Sequence, residues 1–398
     1  MKHNRYALNS ATMKGIAVPA TFIHQPRAQR MFLDICAWAA REHPFYRQWL
    51  SEAAQAVPLL TRIDVLDNNE KLLNGHPVTA RTSGSTGVPV EISWSQSRIE
   101  LESLAQERFI GWLGGRMNPV QLIHLAKTMR NGMHINNPVA DQIAFLTKRH
   151  IESGINAITT YPSNAERLCH AVIEQQIDVS FIKRVGLIGE AFDSHQEALI
   201  REAFSDAQIW STYSSQELGL IAVRCPYNPS YHHVMAGKLG VEILNQANEP
   251  CPHGEVGRLV ITDFYNRNSP LIRYDIGDLA AWGSCPCGKI DLPALSTVLG
   301  KVRGALLHKN GERVPFTQLS ESLRDVPGMR QYQVVQRGLS DFFVRLVHSD
   351  QQLSSALKAQ VESAFLNHFG YLPSLVIKME PIIEREANGK FYASICKV

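Results

Sequence analysis

Between Arg81 and Ser95 the chain reads RTSGSTGVPVEISWS, two glycines set among small hydroxyls with no charge at the centre. Backbone N–H groups in such a turn form a concave nest for phosphate oxygens, and serine and threonine hydroxyls add donors without crowding. It is not a Walker loop, because no Gly-Lys pair in the chain is followed by Ser or Thr. The same letters also suit a solvated linker. In STYSSQELG (211–219), Tyr213 offers a face to a flat ring and Glu217 a hard oxygen ligand to a divalent cation beside a triphosphate. For either residue alone, a core tyrosine and a capping glutamate are the commoner reading. In PLIRYDIGD (270–278), Asp278 after a glycine turn can accept both hydroxyls of a ribose, and Arg273 can steady an anion. A plain hairpin turn is the structural counterpart. In EANGKFYAS (386–394), Asn388-Gly389 signals a hairpin that presents Lys390 at its edge. Such a lysine is a solvated charge unless the unit bearing it closes over a phosphate.

Seven cysteines add a second kind of chemistry. Cys225 and His232, followed by Cys285 and Cys287, supply three thiolates and one imidazole, a set suited to tetrahedral zinc, with His233 as a competing ligand. Cys36, Cys169, Cys251 and Cys396 read as ordinary thiols.

The elements that must position these groups follow from periodicity. Apolar residues at helical spacing run from Pro26 to about Ala56, and Thr61 can cap a short helix with Asp64 three positions on. Alternation at Val78, Ala80 and Thr82, and again at Val90, Ile92 and Trp94, places the hydroxyl-rich loop between two strands. Helices are expected at about 96–112 and 163–176, the second with Ser163 as N-cap and Glu166 at N3. The short apolar runs QLIHLA, AITT, RVGLIGE and AQIWSTY between and after them read as strands, so the class is layered α/β. From about 230 to 300 the texture turns to strands and turns. Beyond residue 304 lie two strands, a helix at about 352–369 with Leu353, Leu357, Val361, Ala364 and Phe365 on one face, and a strand LVIKME.

At 398 residues the chain exceeds the roughly 250 to 300 residues at which single cores stop growing, so two domains are expected. A net charge of +3 without a polybasic run gives little drive toward nucleic acid or anionic lipid. No apolar core of signal-peptide length lies in Met1 to Gly15 and no run is long enough for a membrane span, so a soluble, cytoplasmic protein with reduced thiols is expected.

In this order the four stretches resemble the signature motifs of the adenylate-forming superfamily of acyl-CoA ligases, nonribosomal adenylation domains and luciferases. HPFYRQWL (43–50), VPLLTRIDVLDN (57–68), TSGSTGVP (82–89), TYPSNAERL (160–168), IGEAF (188–192) and SPLIRYDIGDLA (269–280) resemble its phenylacetate-CoA ligase branch, so the likeness spans nearly the whole chain. It implies a large α/β domain with a β-rich subdomain over residues 1–301 and a small mobile α+β lid domain over 302–398. It implies that Ser83, Gly84, Ser85, Thr86 and Gly87 hold the β- and γ-phosphates of ATP, that Glu190 and Ala191 border the adenine, and that Tyr213 stacks on it beside Ser214. Glu217 would bind Mg²⁺, Asp278 and Lys301 would reach the ribose, and Lys390 would bridge the attacking carboxylate and the α-phosphate. A structural zinc on Cys225, His232, Cys285 and Cys287 is part of the same likeness.

The implied reaction joins a carboxylic acid, aromatic or small and planar, to AMP with release of pyrophosphate, then passes the acyl group to a thiol. Coenzyme A and a carrier-protein phosphopantetheine arm are the two acceptors, biosynthesis of natural products stands beside catabolism, and a homodimer is compatible. The chain departs from the superfamily in having Gly300-Lys301 for Gly-Arg at the hinge entry, Arg303 where Asp is common, and a short 113–160 segment. Lysine can reach a hydroxyl but does not fork as arginine does. The rival from another class is a non-catalytic nucleotide- or acyl-binding protein, against which stands the presence of Glu217, Asp278 and Lys390 together. A hydrolase has no support, because neither G-x-S-x-G nor H-E-x-x-H occurs.

Overall fold

The computed structural model describes residues 17–22, 25–51, 56–82, 89–123, 131–190, 192, 194–301, 305–384 and 392–398. They divide into two compact units, Met1–Leu299 and Gly300–Val398.

The large unit is built on one mixed sheet of eleven strands among the described residues. Its parallel half consists of Gly132–Met133, Pro119–Leu122, Ala157–Thr160, Arg184–Leu187 and Gln208–Ser215, in that spatial order. AITT and RVGL are buried throughout, as strands covered on both faces must be, and each leads into a crossover helix, Pro162–Glu174 and Ser194–Ala203. Val120, Ile158, Leu168, Val185, Ile200 and Ile209 fill the layer between. Past Gln208–Ser215 the sheet continues through Gly219–Arg224, His232–Val234, Ala294–Lys301, Tyr274–Gly283, Val256–Asp263 and Leu239–Leu244. A second core packs N-terminal helices on these strands, with Phe22, Phe32, Ile35 and Tyr46 against Leu239, Leu259, Phe264 and Tyr274.

The single helical run expected after Pro26 is two helices, Pro26–Glu42 and Pro44–Ser51. Pro44 cannot donate to the preceding turn and disfavours helical backbone at His43, which sits at φ −111°, ψ 113°. Thr61 does cap the next helix, Arg62–Asp67: Asp64 N–H donates to Thr61 Oγ1 at 3.2 Å and Thr61 N–H to Asp64 Oδ2 at 2.8 Å. Thr61→Ala should cost about 1 kcal/mol, read as a lower urea midpoint at unchanged slope. Ser163 is not an N-cap. Pro162 takes the first helical position and Tyr161 the cap, so Ser163 lies inside the first turn.

The hydroxyl-rich loop is flanked by Ala80–Arg81 and Glu91–Ile92, paired antiparallel with Ala80 opposite Ile92. In the small unit, four strands run in the order Ser374–Met379, Asp341–His348, Met329–Gly338 and Ser394–Cys396. Phe342, Val344 and Leu346 alternate inward to meet Leu357, Val361, Ala364 and Phe365 of helix Ser355–Phe369. Leu353 falls before that helix and is exposed, because Ser354 caps it by accepting Leu357 N–H at 3.1 Å. No helix among the described residues is long and apolar enough to cross a membrane.

Candidate functional site

Three backbone devices bring Tyr213, Glu217 and Asp278 together. Strand Gln208–Ser215 carries Tyr213 near its end, and the chain turns through Glu217 into Gly219–Arg224. Asp278 lies inside strand Tyr274–Gly283, where Arg258 faces Leu279 but Val260 already faces Asp275. The extra residues bulge around Gly277, at φ 79°, so a bulge rather than the alternative hairpin turn presents Asp278. The Tyr213 hydroxyl donates to Asp278 Oδ2. Burial first, and then the Asp278 carboxylate beside it, push the Tyr213 phenol well above its ordinary range, which keeps that proton in place.

Glu217 is 4% exposed. Its Oε1 accepts Arg62 Nη1 at 3.5 Å, and Arg62 Nη2 donates to Thr82 Oγ1 at 3.3 Å. Thr82 Oγ1 also accepts Val90 N–H at 2.9 Å, closing the base of the hydroxyl-rich loop. Arg62 arrives there because Leu60 pairs into the sheet: its N–H donates to Arg273 O, and Asp275 N–H to Leu60 O, each at 2.9 Å. Mg²⁺ takes one or two carboxylates and leaves the rest of its octahedron to phosphate and water, so a single buried carboxylate beside the loop fits it. Arg273, expected to steady an anion, is held within the protein: it forks to Glu242 at 2.9 Å through both Nε and Nη2 and donates to Val57 O at 2.7 Å. Glu190 Oε2 accepts Ser163 N–H at 3.0 Å and Ser163 Oγ–H at 2.5 Å, a carboxylate at the positive end of helix Pro162–Glu174.

A separate cluster gathers Cys225, His233, Cys285 and Cys287, whose ligand atoms all lie within 4.8 Å of one another. The imidazole in it belongs to His233 and not to His232. Neighbours on strand His232–Val234 point to opposite faces, and His232 Nε2 instead lies 3.5 Å from Ser211 Oγ. Leu292 O lies 3.1 Å from His233 Nδ1, which sets the tautomer that leaves Nε2 bare, 3.7 Å from Cys287 Sγ. Asn228 N–H donates to Cys225 Sγ at 3.3 Å. Burial raises Cys287, but the backbone N–H groups of Lys289 and Ile290, together with the Cys285 and His233 side chains, bring the thiol to about 6. The donor set suits zinc: three soft sulfurs and a neutral imidazole, with amide protons on all three thiols.

No family model matches the chain. The phenylacetate-coenzyme A ligase of Thermus thermophilus is 22% identical over 347 residues, covering 76% of this chain and 76% of that one. A crystal structure of 2-hydroxyisobutyryl-CoA ligase in the postadenylation state with R3-HIB-AMP superposes with a TM-score of 0.74 at 17% identity, over 96% of this chain and 90% of that one. The anthranilate CoA ligase AuaEII in complex with anthranoyl-AMP gives 0.57 at 14% identity, over 78% and 65%. The chain has the fold of the adenylate-forming superfamily.

On the adenylate-forming fold, the residues expected from the sequence fall into three groups. Tyr213, Glu217 and Asp278 gather as described, and Ser214 follows Tyr213 on the strand but is exposed. Glu190 sits at the helix start opposite Ser163. Ser83, Gly84, Ser85, Thr86, Gly87, Ala191 and Lys390 lie outside the described residues, as does the side chain of Lys301. The sequence reading missed Arg62 altogether. Its signal was available, an arginine one position after a capping threonine, inside a segment that already resembled the phenylacetate-CoA ligase branch.

Proposed function

We propose that the protein activates a carboxylic acid with ATP and passes the acyl group to a thiol. A carboxylate oxygen attacks the α-phosphorus, the bond to the β-phosphate oxygen breaks, and pyrophosphate leaves. A thiolate then attacks the acyl carbon and AMP departs. The observation that carries this reading is the convergence of Tyr213, Asp278, Glu217 and Arg62 at the base of the hydroxyl-rich loop, in a fold shared with acyl-CoA ligases.

In this reading Asp278 accepts the ribose hydroxyls, with Tyr213 fixing the carboxylate and offering its ring to the adenine. The loop amides of 83–87 hold the outer phosphates. Mg²⁺ on Glu217, when bound, neutralises charge on the leaving pyrophosphate. Arg62 holds Glu217 against Thr82, so the metal ligand and the loop share one anchor. Lys390 supplies an ammonium for the reacting centre. Cys225, His233, Cys285 and Cys287 hold a zinc ion that is structural, because four protein ligands leave no open position. Relatives named for phenylacetate and anthranilate support an aromatic acid, the one named for 2-hydroxyisobutyrate supports a small aliphatic one, and all three CoA ligase names support coenzyme A as acceptor.

Pyrophosphate release across a panel of aromatic and small aliphatic acids tests the reading. Release that depends on one class of acid, and on Mg²⁺, is the expected result. ATP binding without release for any acid would instead identify a binding protein on the same fold.

A further inference from the structure

Helix Gln96–Trp112 carries two charged side chains that the reaction leaves unused and that the fold buries, Arg98 at 0% and Glu102 at 7% exposure. Lys238 and Asp263 join them, also buried. Arg98 donates through Nε to Asp263 Oδ2 at 2.5 Å and through Nη1 to Glu102 Oε2 at 2.9 Å. Lys238 Nζ donates to the same Glu102 oxygen at 2.7 Å. Two cations meet two carboxylates, so the cluster is neutral. Desolvating four charges is costly, and apolar side chains of similar volume often pack as well or better, so stability alone is a weak reason for the cluster.

What the four groups grip is backbone. Leu218 O accepts Arg98 Nη2 and, at 3.1 Å, Lys238 Nζ, while Leu220 N–H donates to Glu102 Oε1 at 2.9 Å. Gly219 lies between, at φ +60°, where a Cβ would collide with the Glu102 carboxylate. Trp94 Nε1–H donates to Glu217 O at 3.3 Å, and the Arg98 guanidinium lies 4.8 Å over the Trp94 ring. Ser215 Oγ accepts Leu218 N–H at 3.1 Å. The turn that aims Glu217 is therefore held at the carbonyls of Glu217 and Leu218 and at the N–H groups of Leu218 and Leu220. The opposite end of the cluster reaches the segment after the loop: Asp263 Oδ1 accepts Asn266 N–H at 3.1 Å, and Asn266 Oδ1 accepts Ser95 N–H at 3.0 Å.

We propose that Arg98, Glu102 and Lys238 are positioning residues that fix the Glu217 carboxylate for Mg²⁺ at the triphosphate, an inference that rests on the ATP-dependent reading above. A metal ligand must be held to within about half an ångström of its productive place, and groups that orient a ligand typically affect metal affinity about 10- to 100-fold.

The test is calorimetric binding of ATP with and without Mg²⁺, which needs no knowledge of the acid. Glu102→Gln combined with Lys238→Met removes one charge of each sign and keeps the cluster neutral. It should fold, by circular dichroism and melting temperature, and bind ATP in EDTA as the wild type does. The Mg²⁺-dependent gain in ATP affinity should fall about tenfold. Trp94→Phe, which loses the indole donor to Glu217 O and part of the ring beneath Arg98, should lower the same gain in a protein that folds normally. Glu217→Gln sets the full loss. If Glu217→Gln abolishes the gain while the folded double variant and Trp94→Phe both keep it, the positioning role is wrong and the ATP-dependent reading stands. If Glu217→Gln leaves the gain intact, Glu217 is not the Mg²⁺ ligand and the inference falls with that assignment.

Discussion

Lys390→Ala should slow acid-dependent pyrophosphate release by about 10²- to 10³-fold while leaving ATP affinity nearly unchanged. The proposed first half-reaction brings a carboxylate toward an already anionic α-phosphate, so negative charge accumulates between attacking and leaving oxygens. In the proposed mechanism the loop amides and Mg²⁺ serve the outer phosphates, which leaves the reacting centre to a cation that can reach it. A lysine ammonium is a compact point charge with three donors and suits an oxygen cluster without planar geometry. Lys390→Arg should therefore recover only part of the rate. Lys397→Ala, an exposed lysine on the same terminal segment, should leave the rate alone. Thioester formation from acyl-adenylate supplied ready-made should also survive in Lys390→Ala, because that step breaks no bond in the triphosphate. A variant that releases pyrophosphate at the wild-type rate would remove Lys390 from the chemistry.

The parts legible in the sequence are those whose cause is local. AITT and RVGL read as strands because burial on both faces demands unbroken apolar runs, and the cap at Thr61 needs only residues three apart. Tyr213, Glu217 and Asp278 could be singled out only through the resemblance of their stretches to a family's motifs, since composition alone suits a core tyrosine, a capping glutamate and a hairpin turn as well. Arg98, Glu102 and Lys238 were not, since a charged residue on a helix looks solvated until its partner is known. Those partners lie far along the chain, 165 residues for Arg98 to Asp263 and 136 for Glu102 to Lys238. The choice between His232 and His233 failed for a related reason. Two adjacent histidines differ only in the face they occupy, and that face is set by register, with Val223 opposite His233 and Arg224 opposite His232.

The protein should purify with one zinc per chain, and Cys285→Ser should lose it and lower the melting temperature by roughly 5–10 °C, several kcal/mol at this size. Cys225 follows the strand that begins just after Glu217, and Cys285 and Cys287 follow the strand that contains Asp278. His233 stands on the strand between the first of these and Ala294–Lys301. A metal at this point would tie together the far ends of strands whose other portions carry or adjoin Glu217 and Asp278. In the proposed structural role it acts by crosslinking these strands. Zinc-free protein held well below its melting point should accordingly keep its ATP affinity, whereas a catalytic metal would take activity with it when removed. The thiols also predict their own failure mode: Cys225 Sγ and Cys285 Sγ stand 3.8 Å apart, so stripping the metal under air should let oxygen take two electrons and two protons from that pair, leaving a disulfide and lowering the mass by two hydrogen atoms. Metal analysis showing no zinc, together with a Cys285→Ser variant that melts like the wild type, would reduce the cluster to packed thiols and leave the antiparallel half of the sheet to stand on its core alone.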